Sequence, residues 1–370
     1  MTGFLGGIWS RARDRRGVSG WLLFLLLFPL SFVYRAGLAI SRVRRRGLPV
    51  WDRAVPVLGI GNLTVGGTGK TPLVLLLAGR LEGAGRRPAV LSRGYRGKRA
   101  KDPCVVRAFG GNILLGPREA GDEPRLIAEK AGKGVSVVVA RDRVKGCAMA
   151  VDELGADLLI LDDGFQQRMR FPRGFHIVTV NAARPLEGNF LLPAGDLREP
   201  VRALDEAAAV VLTHAEEVEP ERISFLKRLM KGITPGAAVA VASHQVESLV
   251  DHGSGERFEL SRIKGGRVLV FSALGYPEGF EKLVAGTVLA KVVGFRAPDH
   301  HRWNAADFSR IRHLLSSQEC HALVTTEKDA ARMGEFPGFG VPLLIAKLKF
   351  TFVDGESELE AALKAYLEGF

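Results

Sequence analysis

VPVLGIGNLTVGGTGKTPLVLLLAGRL, residues 55–81, is the stretch on which the reading of this chain turns. A buried-strand pattern, VPVLGI, runs directly into the glycine-rich GNLTVGGTGKT (61–71), and an almost wholly apolar helix pattern, PLVLLLAGRL, follows. Strand, loop and helix in that order form the context a phosphate-binding loop requires. Gly66, Gly67 and Gly69 let backbone N–H groups converge on phosphate oxygens. Lys70 then reaches the terminal phosphates, and the Thr71 hydroxyl is placed to ligate Mg²⁺. Pro72 is tolerated because it falls in the first helical turn, where a missing N–H costs little. The expected nucleotide contacts are Thr64, Val65, Gly66, Gly67, Thr68, Gly69, Lys70 and Thr71. One letter departs from GxxxxGK[ST]: Thr64 stands where the first glycine belongs, in the loop's outer turn.

Working outward, PAVLS (88–92), VSVVVA (135–140), DLLILDD (157–163), FHIVTV (175–180) and AAAVVLT (207–213) read as further buried strands, several of them separated by helical patterns. Strands without polar alternation, divided by helices, imply a parallel sheet covered on both faces. The polar, glycine-containing segment ESLVDHGSGERFELSRIKGG (247–266) breaks the rhythm. After it a second, smaller α/β set begins with RVLVFSAL, KVVGF, HALVTT and VPLLIAKL. The expected organisation is an N-terminal segment (1–50), a P-loop NTPase-like α/β domain (51–246), a linker (247–266) and a smaller α/β domain (267–370).

The chain has 370 residues and a formal net charge of +12, and the placement of that charge argues against nucleic acid. Residues 1–50 hold nine arginines, one acid and no lysine, and between the basic clusters runs WLLFLLLFPLSFVY (21–34). This run is short of the about 20 apolar residues of a spanning helix. Positive charge on both sides also gives no orienting asymmetry. The favoured structure is a helix, or a helical pair bent at Pro29, lying in an anionic membrane surface, with a true span or a helix packed on the protein's own core as the alternatives. No small-x-small site follows the apolar run cleanly, as a cleaved signal peptide would require. The three cysteines, Cys104, Cys147 and Cys320, have neither disulfide-framework nor zinc spacing, which fits a reducing compartment.

A nucleotide site needs an acid at the end of a neighbouring strand, and LLILDD supplies Asp162, with Asp163 beside it, for Mg²⁺. In SRGYRG (92–97) the arginines Arg93 and Arg96 suit either an anionic substrate or a solvated turn. GDEPRLIAEKAG (121–132) opens a helix in which Asp122 and Glu123 are either caps or site residues. ARDR (140–143) reads as a helix start or a phosphate contact.

Taken in order, GNLTVGGTGKTP, SRGYRG, GDEP, ARDR, LDDGFQ, LLPAGDLREP, PDH and TTEKD, behind an apolar N-terminus, resemble the tetraacyldisaccharide 4′-kinase family of lipid A biosynthesis. That family's loop also carries threonine at the position of Thr64. The resemblance implies transfer of the γ-phosphate of ATP to the 4′-hydroxyl of an acylated glucosamine disaccharide 1-phosphate, with Mg²⁺, at the cytoplasmic face of the bacterial inner membrane. It implies no nucleic acid and no obligatory protein partner. It maps a base pair onto Asp122 and His300, with His301 as the adjacent alternative, and the Mg²⁺ carboxylate onto Asp162. Glu123, Asp163 and Gln166 surround these, and Arg93 and Arg198 become substrate-site or charge-balancing residues. Because Lys70, Asp122 and Asp162 precede the linker and His300 follows it, the resemblance also implies closure during catalysis.

Two other classes compete. A P-loop GTPase switch would show NKxD, whereas TEKD (326–329) has its lysine one place late. A membrane-associated ATPase serving transport would need neither GDEP nor PDH.

Overall fold

The computed structural model describes residues 17–95, 97–98, 102–184, 186, 189–274, 277–298, 301, 303–334 and 336–370. These fall into two compact units. The first comprises Met1–Thr213, Glu221–Val241 and Phe352–Phe370, and the second His214–Pro220 and Ala242–Thr351.

In the first unit the chain forms helix α1 (Gly17–Arg46), then β1 (Val57–Asn62), α2 (Lys70–Gly83), β2 (Pro88–Ser92), β3 (Cys104–Arg107), α3 (Asp122–Lys130), β4 (Ser136–Val139), α4 (Arg143–Asp152), β5 (Leu158–Asp162), β6 (Phe175–Asn181), β7 (Ala209–Thr213) and α5 (Pro220–Ile233). The long strand β8 (Ala238–Asp251) leads into the second unit. There β9 (Arg267–Ser272), α6 (Pro277–Val288), β10 (Lys291–Arg296), α7 (Ala305–Ser317), β11 (Ala322–Thr326) and α8 (Glu327–Arg332) follow. Strand β12 (Leu343–Asp354) leads back to the first unit, which ends in α9 (Glu356–Leu367).

The strand order of the first unit is β8-β7-β6-β1-β5-β2-β4-β3, and that of the second runs β10-β9-β11-β12. Within each unit the strands pair in parallel, except β3 with β4. Strand β1 lies between β5 and β6, with Leu58 opposite both Ile160 and Phe175. Every residue of β1, β5 and β6 is buried, which is why these strands read as unbroken apolar runs. The strand order reverses at β1, so the crevice beyond its carboxyl end is where an open α/β sheet binds its ligand.

Three details differ from the sequence reading or narrow it. Of the two forms expected for the N-terminal segment, the structure has the single helix, 30 residues that continue through Pro29, about 45 Å at 1.5 Å per residue. Its stretch Gly17–Arg44 is long and apolar enough to cross a membrane by length and composition. The second difference is the domain limits expected at 246 and 267, which do not coincide with the unit limits. Residues 214–220 and 242–266 belong to the second unit, and 352–370 return to the first. That return has a physical cause: Tyr366 donates its hydroxyl to the Val57 carbonyl at 3.2 Å, and Arg80 pairs with Glu356 and Glu360 on α9. Finally, Asp122 is not the cap of α3; Gly121, with φ 92°, takes that position without a side-chain bond.

One face of α1 is docked. Phe24 and Phe28 pack on Phe190 with ring centroids 5.0 and 5.4 Å apart. Ser31 Oγ donates to the Leu191 carbonyl at 2.8 Å, Tyr34 to the Arg198 carbonyl at 3.1 Å, and Arg42 to Glu199 at 2.9 Å. Leu22, Leu25, Leu26, Phe32 and Val33 are exposed, an apolar surface larger than isolated hydrophobic residues would make.

Candidate active site

The loop after β1 is built from backbone constraints that its sequence anticipates. Gly66 has φ 108° and Gly69 φ 71°, a region in which side chains with a Cβ are strained. A Cβ on Gly66 would stand 2.7 Å from Arg184 Nη1, and one on Gly69 3.1 Å from Thr213 Cγ2. The loop rests on the ends of β6 and β7. Thr179 Oγ1 donates to Thr68 Oγ1 at 3.0 Å, Asn181 Nδ2 to the Gly67 carbonyl at 3.2 Å, and Thr213 Oγ1 to the Thr68 carbonyl at 3.1 Å. Lys70 opens α2, so the helix's unpaired N–H groups and positive dipole end lie at the loop, the arrangement that receives phosphate.

Thr64 is explained by what lies beside it. It forms an antiparallel bridge with Leu197, flanked by Val65 N–H to the Asp196 carbonyl at 2.8 Å and Arg198 N–H to the Leu63 carbonyl at 2.6 Å. This segment of the loop is extended and paired, so it needs no left-handed residue, and a buried threonine suits it.

The carboxylates arrive from β5. Asp162 is buried, and Ser92 Oγ donates to its Oδ2 at 3.0 Å. Burial pushes the Asp162 carboxyl up to about 6, with Glu123 and Asp163 adding to the rise and Lys70 and Ser92 opposing it. Glu123 stands at the start of α3, near enough for its charge to contribute to that rise, and Asp122 beside it is exposed. Asp163 takes φ 55°. Burial would raise its carboxyl, but hydrogen bonds from Arg198 and the charges of Arg198, Lys70 and Arg143 outweigh that and hold it below the ordinary range. Arg198 binds it with both nitrogens, Nη2 to Oδ1 at 2.7 Å and Nη1 to Oδ2 at 3.2 Å, and Lys70 Nζ is 3.8 Å from Oδ1. Gln166 Nε2 donates to the Asn62 carbonyl at 2.7 Å.

Lys70, Asp162, Asp163, Gln166 and Arg198 therefore gather at the carboxyl end of β1 and β5. Arg93 is exposed after β2, and its charge is felt by Arg143. His300 and Arg96 lie outside the described residues. His301 is engaged elsewhere, its Nε2 2.7 Å from Asp307 Oδ2, and α7 is capped by Asn304 and Asp307. TEKD is a helix start: Thr326 Oγ1 caps α8 by accepting from Asp329 N–H at 3.1 Å. In ARDR, Asp142 caps α4, while Arg143 is buried and donates from Nη2 to the Asp162 carbonyl at 3.1 Å.

Sequence reasoning missed Ser92, Asn62 and Tyr34. Asn62 is the hub, bonding the Thr64 carbonyl through Nδ2 at 2.6 Å and accepting from Arg198 Nη2. The asparagine immediately before the loop was a visible signal.

The residues fit a divalent cation. Asp162 is a carboxylate raised by burial and then by neighbouring acids, and oxygen donors of this kind suit Mg²⁺. A cation there would relieve the repulsion among Asp162, Asp163 and Glu123.

Known proteins of one family resemble this chain along most of its length. The family described as Tetraacyldisaccharide-1-P 4′-kinase matches residues 23–368. The tetraacyldisaccharide 4′-kinase of Anaeromyxobacter dehalogenans (strain 2CP-1) is 39% identical, covering 99% of this chain and 96% of its own. That of Syntrophus aciditrophicus (strain SB) is 36% identical, covering 90% of each. A solved structure, the "apo" form of LpxK from Aquifex aeolicus in complex with ATP, superposes with a TM-score of 0.67 at 30% identity over 93% of this chain and 99% of that one.

Proposed function

The chain belongs to the tetraacyldisaccharide-1-phosphate 4′-kinase family, and from that premise we propose how its residues perform the reaction. It is an ATP-dependent kinase that phosphorylates the 4′ position of a tetraacylated glucosamine disaccharide 1-phosphate, giving lipid IVA. The observation that carries the reading is the meeting of Lys70, Asp162 and Asp163 at the end of β1, beside a glycine-rich loop that runs into the start of α2.

The amides of residues 64–71 and the Lys70 ammonium hold the β- and γ-phosphates. Asp162 and the Thr71 hydroxyl are the residues to hold Mg²⁺, which supplies charge neutralisation on the transferring phosphoryl group. Asp163, kept ionised and clamped by Arg198, keeps Lys70 directed into the site. The acceptor O4′ attacks the γ-phosphorus, the bond to the β-bridging oxygen breaks, and ADP departs. A sugar hydroxyl is a poor nucleophile until a base is in reach. Its proton passes to one member of the pair Asp122 and His300, a pairing supported by motif order. Glu123, Gln166 and Arg93 line the approach.

The exposed apolar face of α1, with Arg35, Arg42, Arg44 and Arg46 along the same helix, supports attachment to an anionic membrane. The cytoplasmic face of the inner membrane is where ATP and the acceptor's buried acyl chains coincide.

The base assignment is tested by single and double substitution. Asp122→Ala and His300→Ala should each lower kcat far more than they raise KM for ATP, and the double variant should be little worse than the poorer single one. Fully multiplicative losses would mean that the two residues serve separate steps.

A further inference from the structure

Outside the kinase site, the second unit holds a cluster that the phosphotransfer leaves unused: His214, Glu216 and Glu217 on the turn after β7, and His244 on β8. His214 Nδ1 is 2.9 Å from Glu217 Oε1, and His244 Nδ1 is 3.0 Å from Glu216 Oε1. The His244 backbone N–H donates to Glu216 Oε2 at 3.1 Å. The two imidazoles lie 5.3 Å apart, centroid to centroid, with ring planes inclined by 49°.

An ionised carboxylate can only accept, so each Nδ1 must be the donor in its bond. In the neutral imidazoles this leaves the lone pair on Nε2. A carboxylate fixing one ring nitrogen while the other carries a lone pair is how proteins present histidine to a metal, because it sets the tautomer and raises the basicity of the ligating atom. His214 is held in this way by Glu217, whereas in His244 the carboxylate on Nδ1, Glu216, is itself a ligand candidate, and the ion would take the place of the proton between them. One ligand atom from each of His214, Glu216 and His244 lies within 4.8 Å of the others. A tetrahedral zinc site places its ligands about 3.4 Å apart, from Zn–N and Zn–O lengths near 2.0–2.1 Å. The cluster would have to contract by at most about 1.4 Å on that geometry.

Charge and packing point the same way. The Glu216 and Glu217 side chains are only 9% and 8% exposed. With neutral histidines, the cluster holds two nearly buried carboxylates, which costs free energy unless a cation compensates them. Glu217 Oε2 is buried with no hydrogen-bond partner among the described residues. Its stem is pinned by α6, since a Cβ on Gly279 would lie 2.4 Å from Glu217 Cγ. His214 itself holds a left-handed backbone, φ 57° and ψ 38°, which turns its ring back toward β8.

We propose that His214, His244 and Glu216 form a binding site for a divalent transition ion of the zinc class, with Glu217 orienting His214. Imidazole donors select zinc, cobalt or copper over magnesium, so this site is chemically distinct from the oxygen-donor site at Asp162.

The test is Co²⁺ titration of the tag-free, chelator-stripped full chain, read by the visible absorption of tetrahedral cobalt and by displacement with Zn²⁺. One equivalent should bind, excess Mg²⁺ should not displace it, and Zn²⁺ should raise the melting temperature of the wild-type protein. His214→Gln and His244→Gln should each weaken binding by about 100-fold or more. Glu217→Gln, a milder change, should weaken it by about 10- to 100-fold. A wild-type chain that takes up no stoichiometric Co²⁺ would overturn the proposal. So would a cobalt spectrum retained at full affinity in both histidine variants, which would place the ion elsewhere.

Discussion

Arg198 and Asp163 form a two-pronged pair, Nη2 to Oδ1 at 2.7 Å and Nη1 to Oδ2 at 3.2 Å, while the Arg198 carbonyl accepts a hydrogen bond from Tyr34 of α1 at 3.1 Å. The same guanidinium reaches Asn62 at the root of the phosphate loop. One residue therefore connects the N-terminal helix, the loop and the acid that faces Lys70.

Because the pair is partly exposed, its direct effect on stability should be small, and its consequence should appear in catalysis. Arg198→Ala is expected to lower kcat/KM by about 100-fold, the scale of a small misplacement of catalytic groups. Arg198→Lys should recover little of this, since an ammonium cannot make both bonds. Steady-state kinetics on the two variants decide it, and near-normal activity in Arg198→Lys would contradict the clamp.

The buried Asp162 carboxyl, raised to about 6, gives a pH signature. A raised acid stabilises the fold through its proton below the ordinary carboxylate range, and this contribution is lost as pH climbs through the folded value. A divalent cation competes with that proton. Mn²⁺ binding to the nucleotide-free protein should therefore weaken by about tenfold per pH unit below pH 6 and level off above it. Asp162→Asn should bind weakly at every pH. Binding that does not change between about pH 5 and 7 would assign the cation to another group.

Much of this arrangement was legible in the sequence. Strands β1, β2, β5, β6 and β7 are buried on both faces, so their apolar runs stood out, and the phosphate loop sits between two of the strongest local signals, an apolar strand and an apolar helix. Strand β3 was not legible. It is four residues long, antiparallel and only half buried, so neither length nor period marks it. Strand β8 was hidden because its burial changes along its length, from uninterrupted at Ala238–Ser243 to alternating beyond His244. The bond between Ser92 and Asp162 joins positions 70 apart, and no local pattern encodes it. Thr64 looked like a defect in the loop because its partner, Leu197, lies more than a hundred residues away.

The docked and exposed faces of α1 make separate predictions about the membrane. Replacing Leu22, Leu26 and Val33 with serine should release the protein from anionic vesicles in a flotation assay while leaving ATP binding intact. High salt alone should release the unaltered protein only in part, because apolar burial adds to the screened electrostatic term. Complete release by salt would show that the exposed leucines do not enter the bilayer.

The central claim, that the loop and acids around Lys70 transfer phosphate to a lipid hydroxyl, is tested most directly by following label from γ-labelled ATP. Purified protein is incubated with Mg²⁺ and the acylated disaccharide 1-phosphate, and the lipid products are separated. Label is predicted at the 4′ position in the wild-type protein. It should fall by a factor on the order of 10² to 10³ or more in a folded Lys70→Ala variant, which lacks the preorganised charge at the transferring group. ATP turnover that proceeds equally without the glycolipid, or label transfer that survives in Lys70→Ala, would contradict the account.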